Sequence, residues 1–273
     1  MIFNKFLFIS LIFVPLALCQ VPVEASCGPI QYEKPYNMMP TKEKLEKCQY
    51  PYMVLIEAEV LENGERRIHE CNGVFLESGH VLSSAHCLDI QPDIAQYTLF
   101  FGLYDKEKKY DKNVQIRKVA GVTRHPSYSR ESFENDLALI ELEADVAFAG
   151  SLQPAIIFKH DKFMWKDPIT VAVGYDSETQ GSRYRATVQS SLEDEIECAR
   201  HVGQSAESSL CVIQEKGTNN DILTWINYPV GIASGRSRLF DEKTNKQTAF
   251  YTRLSEHCDW LQEATNHMWK CYD

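Results

Sequence analysis

From Tyr50 onward the chain alternates apolar and polar residues with a period of two, in short runs closed by turn residues. Residues 52–61 place Leu55, Glu57 and Glu59 on one face and Ile56, Ala58 and Val60 on the other, the pattern of a β-strand. Asn63-Gly64 then supplies the two residues that a type I′ hairpin needs at positive φ, and 68–76 is the predicted return strand. Ser78-Gly79 turns into Val81-Leu82, and the runs 97–101, 114–122, 137–142, 169–173 and 229–233 keep the rhythm to about Leu254. Many short strands punctuated in this way predict an all-β antiparallel sandwich or barrel. The period changes at the C-terminus. Within 258–269, Leu261, Ala264, Thr265 and Met268 fall at helical spacing, which predicts one amphipathic helix docked on the body. No internal repeat and no low-complexity segment interrupts the pattern.

The first 19 residues have a different character. Lys5 is followed by an almost wholly apolar stretch, 6–18, with the small residues Ala17 and Cys19 before Gln20. This is the layout of a cleaved secretory signal, and the apolar run is too short for a membrane anchor. The expected organisation is a signal peptide at 1–19, a leader at 20–47 and a body at 48–271. Secretion changes the meaning of the cysteines. Eight of the nine remain after cleavage, an even number that points to disulfides in an extracellular chain rather than to metal sites. No CxxC or HExxH spacing occurs, so no metal or other cofactor is expected, and no N-x-S/T acceptor is present.

The formal charge is −10. Such a surface argues against nucleic acid, heparin or anionic lipid as the main partner. The small basic groups, Lys106 with Lys108 and Lys109, Arg183 with Arg185, and Arg236 with Arg238, are expected to be solvated loops.

The chemistry sits in two short segments. Ser84-Ala85-His86-Cys87 follows Cys71-Asn72-Gly73-Val74-Phe75-Leu76 and Val81-Leu82, and Asn135-Asp136-Leu137-Ala138-Leu139-Ile140 follows His125-Pro126-Ser127-Tyr128. Together with Val171-Ala172-Val173-Gly174, Val230-Gly231-Ile232, Tyr251-Thr252-Arg253-Leu254 and Asp259-Trp260-Leu261, these motifs resemble the chymotrypsin-like (trypsin-like) serine proteases over about residues 48–270. The resemblance implies two antiparallel Greek-key β-barrels, about 48–152 and 153–256, and a C-terminal α-helix at about 257–269. It implies that His86 is the base histidine, and that Asp136 accepts from its imidazole and fixes the tautomer. It also implies the bridges Cys71–Cys87 and Cys198–Cys211. Closing a loop of the first kind is worth roughly 3 kcal/mol on the chain-entropy model.

The departures are as informative as the matches. No serine occurs between Ser209 and Ser234, so no shift of alignment supplies the nucleophile that the family carries in its Gly-Asp-Ser-Gly-Gly-Pro run. The window reads Thr218-Asn219-Asn220-Asp221-Ile222-Leu223-Thr224-Trp225-Ile226. If Asp221 matches the aspartate of that run, Ile222 stands at the vestigial nucleophile position, and Leu223 and Thr224 replace the oxyanion-hole glycines. Loss of such a serine costs on the order of 10⁶ in turnover. Thr224 lacks both glycines and base. The family's Ile/Val-x-Gly-Gly activation start is missing from 35–54, where Lys47-Cys48-Gln49-Tyr50-Pro51 stands, and the cysteines that brace its specificity pocket are missing too.

Four cysteines, Cys27, Cys48, Cys258 and Cys271, allow three pairings. A continuous helix would hold Cys258 and Cys271 about 20 Å apart. That pair is therefore disfavoured, and the helix region is expected to be stapled to the leader. The expected function is that of a secreted, non-catalytic protease homologue that binds extracellular proteins (proteases, zymogens or their substrates) as cofactor, decoy or regulator of a protease cascade. The alternatives are a recognition or carrier protein outside any cascade, and a hydrolase with a replaced nucleophile. His86 and Asp136 then persist either as a structural pair between the barrels or as part of a cleft that still binds polypeptide.

Overall fold

The computed structural model describes residues 43–44 and 48–273, apart from 78, 91–95, 104, 149–151, 167–169, 176–183, 189–190, 204–205 and 215–221. Two antiparallel, barrel-like sheets carry nearly all the regular structure. The first is a closed barrel of β2 (Met53–Glu62), β3 (Glu65–Phe75), β4 (His80–Ser83), β7 (Ala138–Leu142), β6 (Gln115–Arg124) and β5 (Gln96–Phe101), in that spatial order. Its longest hairpin is the predicted one. Asn63 and Gly64 have φ of 53° and 82° and set Glu62 opposite Glu65, the backbone twist that matches strand twist.

The second sheet runs through β1 (Glu43–Lys44), β9 (Tyr184–Val188), β8 (Val171–Tyr175), β12 (Ile222–Trp225), β13 (Tyr228–Ala233), β15 (Lys246–Arg253), β11 (Ser209–Gln214) and β10 (Ser191–Leu192), with β14 (Leu239–Asp241) beside β15. Only two residues separate β9 from β10 in sequence, so the path returns on itself. The leader therefore contributes β1 to the second barrel, antiparallel to β9.

Apolar alternation sorts most buried side chains into three cores, beside a small fourth cluster of Cys198, Val202, Cys211 and Phe250. Val54, Ile56, Phe75, Val81, Leu99 and Ile140 fill the first barrel. Ala172, Leu210, Val212, Leu223, Val230 and Tyr251 fill the second. Met53, Leu55, Leu82, Leu137 and Leu139 meet Val173, Ile222, Ile232 and Leu254 between the barrels. β2 is thus buried on both faces near its start, and its exposed end begins where Glu57 and Glu59 enter the pattern.

The bridges Cys71–Cys87 and Cys198–Cys211 are formed, with Cα separations of 6.3 and 5.4 Å. The second lies on α1 (Glu195–Val202), a helix the apolar pattern did not predict. Its signals are nonetheless local: Asp194 accepts from the Glu197 amide at 2.8 Å as N-cap, and Gly203 ends it at φ 64°.

The C-terminus corrects two expectations. The helix α2 spans only Cys258–Ala264. Asn266 and His267 follow with φ of 51° and 61°, which turn the chain back. Cys271 returns to Cys258 and bridges it at a Cα separation of 5.7 Å, so the disfavoured pair is the one formed, and α2 is not stapled to the leader. The 20 Å estimate failed because it assumed an unbroken helix. The Thr265 hydroxyl donates to the Leu261 carbonyl at 2.8 Å and accepts from the Trp269 amide at 3.3 Å. Trp269 is thereby buried, while Met268, expected on the apolar face, is exposed. Cys48 is also disulfide-bonded. Its partner, the signal segment and nearly all of the leader lie outside the described residues.

Candidate functional site: an interbarrel cleft at His86 and Asp136

β4 delivers Ser84-Ala85 into a short 3-10 turn, His86–Asp89, and the Cys71–Cys87 bridge ties that turn to β3. β6 ends at Arg124, and the following loop places Asp136 just before β7, adjacent to β4. These two loops bring His86 and Asp136 together across fifty positions of sequence. The Asp136 carboxylate is wholly buried and accepts three N–H groups: Oδ1 from the His86 amide at 2.8 Å, and Oδ2 from His86 Nδ1 at 2.7 Å and from the Gly235 amide at 2.8 Å. A carboxylate only accepts, so a neutral His86 imidazole in this pair carries its proton on Nδ1, which donates to Oδ2. That is the tautomer of a general base.

A cleft of about 500 Å³ opens beside this pair, with His86, Phe133, Ser234, Gly235, Arg236 and Arg238 among its lining. The Phe133 ring packs edge-on to the imidazole, with centroids 6.1 Å apart, and sits at φ 54°. It also abuts Gly235 closely, since a Cβ there would stand 2.4 Å from Phe133 Cε1. Gly235 is therefore required by close approach. The Ser234 hydroxyl donates to the Phe133 carbonyl at 3.4 Å, which ties the second barrel to the loop of the first.

Ile222 does not join His86 and Asp136. It lies within β12, fully buried, paired with Val173 on one side and Ile232 on the other, in the interbarrel core. Ile222 is therefore set in a strand paired on both sides, not beside the imidazole. The link from β11 to β12 is Glu215-Lys216-Gly217-Thr218-Asn219-Asn220-Asp221 in sequence, which holds no serine and lies outside the described residues. Thr224 is equally remote from this chemistry: it is buried in β12, and its hydroxyl donates to the Val171 carbonyl at 2.9 Å.

Sequence reasoning missed Phe133, Arg236 and Arg238. Charge pattern alone places the two arginines in a solvated loop, yet both line the cleft. Lys106 and Lys109 are likewise not merely solvated, since they pair with Glu70 and Glu57 at 2.7 and 2.8 Å. No group of three His, Cys, Asp or Glu side chains among the described residues could hold a metal ion, and none of their helices is long and apolar enough to cross a membrane.

Behind Asp136 lies a second histidine cluster. His257 is buried, with Nδ1 at 2.7 Å from the Arg253 carbonyl and Nε2 at 3.1 Å from Asn135 Oδ1. His125 packs against it and against Trp260, with centroids 5.1 and 4.9 Å away. Burial, with a smaller contribution from His257, pulls His125 down to about 4, and burial also lowers His257.

Known proteins place this geometry. Mouse cathepsin G (Mus musculus) is 21% identical over 223 residues, which cover 78% of this chain and 80% of the relative. A solved structure described as the structure of GrC superposes with a TM-score of 0.63 at 19% identity, covering 83% of this chain and 99% of the other; at that identity it speaks for the fold alone. The sequence profile described as Trypsin matches residues 42–261. With its two barrels, its buried aspartate and its Nδ1-protonated histidine, this chain belongs to the trypsin family, a family of serine endopeptidases.

Proposed function

We propose that this chain is a secreted serine protease homologue that does not cleave peptide bonds and acts by binding polypeptide, as cofactor, decoy or regulator of an extracellular protease cascade. The single observation that carries this reading is the absence of any serine between Ser209 and Ser234, on a fold whose base and orienting carboxylate are otherwise in place. A general base without a nucleophile has nothing to activate. The threonine in β12 is no substitute, because its hydroxyl is buried and committed to Val171. What supports a binding role is the cleft itself, which stays open beside His86 and combines aromatic, small and cationic lining. Secretion is supported by the sequence of 1–19 and by the disulfides of the body.

The experiment has two arms on the purified mature protein. In the first, fluorophosphonate labelling is combined with a peptide-substrate panel, and neither labelling nor turnover is expected. Robust turnover would overturn the non-catalytic reading. In the second, zymogen processing in the extracellular fluid of the source organism is followed with and without added protein. A dose-dependent rise or fall is expected, and no change at saturation would move the assignment to a recognition or carrier protein.

A further inference from the structure

The chain has a formal charge of −10, yet one wall of the His86 cleft presents two guanidiniums, Arg236 and Arg238, just beyond β13. Both are partly buried. Among the described residues, Glu134 and Asp136 act electrostatically on Arg236. Asp136 is fully enclosed and already accepts three N–H groups. Burial lowers Arg236 from the ordinary arginine range, but a guanidinium keeps its charge throughout the range in which proteins fold. The rest of the lining includes Phe133, Ala233 and Phe250, which keep the local dielectric low and strengthen charge pairing there. Planar guanidiniums match carboxylates in a two-pronged geometry that lysines do not offer.

We infer that this cleft takes an acidic segment of a partner polypeptide, with an aspartate or glutamate side chain against Arg236 and Arg238. The inference rests on the proposal that the cleft binds polypeptide, and it names the class of segment bound. The volume of about 500 Å³ suits a short run of side chains rather than a folded surface. The acidic excess elsewhere repels such a partner at long range. Recognition therefore depends on the local pair and weakens with salt.

The test is selection from a displayed random-heptapeptide library on the full mature protein, beside the charge-reversed variant R236E/R238E. A milder R238Q variant is carried in parallel in case the double variant does not fold. The wild-type protein is expected to enrich aspartate and glutamate at one or two positions. The reversed variant is expected to lose that enrichment and gain lysine and arginine. The labelled wild-type consensus peptide should bind R238Q at least about tenfold more weakly by fluorescence anisotropy. An apolar or basic wild-type consensus would overturn the inference and leave a polypeptide-binding cleft standing, and so would an acidic consensus that survives charge reversal. Selection that enriches nothing on folded protein would remove the binding reading and the inference together.

Discussion

The Asp136 carboxylate and the Gly235 amide, 2.8 Å apart, join the loop of the first barrel to the strand end of the second. In a protease this carboxylate serves catalysis through the imidazole. Here it also closes the interbarrel seam, together with Ser234 on the Phe133 carbonyl and Tyr52 on the Asn227 carbonyl. Asp136 therefore has a structural role at the seam in addition to its contact with the imidazole.

Replacement of Asp136 by asparagine should accordingly destabilise the fold. An asparagine turns one acceptor oxygen into a donor facing donors, and hydrogen bonds to a buried charge are worth about 1.5–3 kcal/mol each. A loss of about 3 kcal/mol in urea unfolding is expected for D136N, against a smaller one for His86→Ala, whose side chain is part-exposed. Equal stability of D136N and wild type would mean that the carboxylate contributes nothing to the seam.

Ile222 offers a second test. Were it a degenerate nucleophile position, Ile222→Ser would approach a protease at little structural cost. It is instead sealed between Val173 and Ile232 in the interbarrel core. The serine variant loses apolar burial, leaves a cavity and buries a hydroxyl, a combined cost of about 4 kcal/mol. Expected are a large drop in melting temperature and no hydrolysis of any substrate in the peptide panel. Gain of turnover by I222S would reverse this placement.

The placement of Ile222 also shows where the sequence stopped being informative. The hairpin at Asn63-Gly64, the buried strands and the pairing of His86 with Asp136 were legible, because period-two patterning and local motifs report local geometry. Between Cys211 and Gly231 nothing local in the sequence fixes the register. Strand pairing does so: β12 lies against both β8 and β13. The Cys258–Cys271 bridge is hidden from the sequence for a related reason. Left-handed backbone at Asn266 and His267 carries no hydrophobic signature, so the helical spacing of Met268 looked real. Phe133 and the arginines were invisible because they meet His86 only through the tertiary fold.

The His125–His257 cluster predicts the pH dependence of stability. Both imidazoles are lowered in the folded chain, His125 to about 4, whereas an unfolded histidine titrates near its ordinary value of 6.5. Below about pH 6.5 the unfolded chain binds more protons than the folded one, so stability falls with falling pH. The contribution of His125 is fully present above 6.5 and is lost as pH drops toward about 4. Thermal melts between pH 7.5 and 4.5 should show a decline that is shallower in His125→Asn, with the two curves converging at the acidic end. Parallel curves would dissociate His125 from the transition.

Arg253 and Asp161 form the most enclosed ion pair among the described residues, with both side chains almost fully buried. Arg253 Nε donates to Asp161 Oδ2 at 2.9 Å, its Nη2 donates to Oδ1, and the Ser255 hydroxyl adds a donor to Oδ2 at 2.7 Å. The pair links the end of β15 to the segment that enters the second barrel. Removing one partner leaves an uncompensated buried charge, which costs about 3–5 kcal/mol. Replacing both by apolar groups of similar volume is often neutral, because the desolvation penalty disappears with the charges. Arg253→Met alone should therefore unfold at markedly lower urea, while Arg253→Met with Asp161→Leu should recover most of the loss. The residual cost lies with the Ser255 hydroxyl, the Glu207 carbonyl, which accepts from Arg253 Nη1 at 3.3 Å, and Glu195, 3.5 Å from the same Nη1. A double variant no more stable than the single one would mean that the pair is held by packing around it rather than by mutual charge compensation.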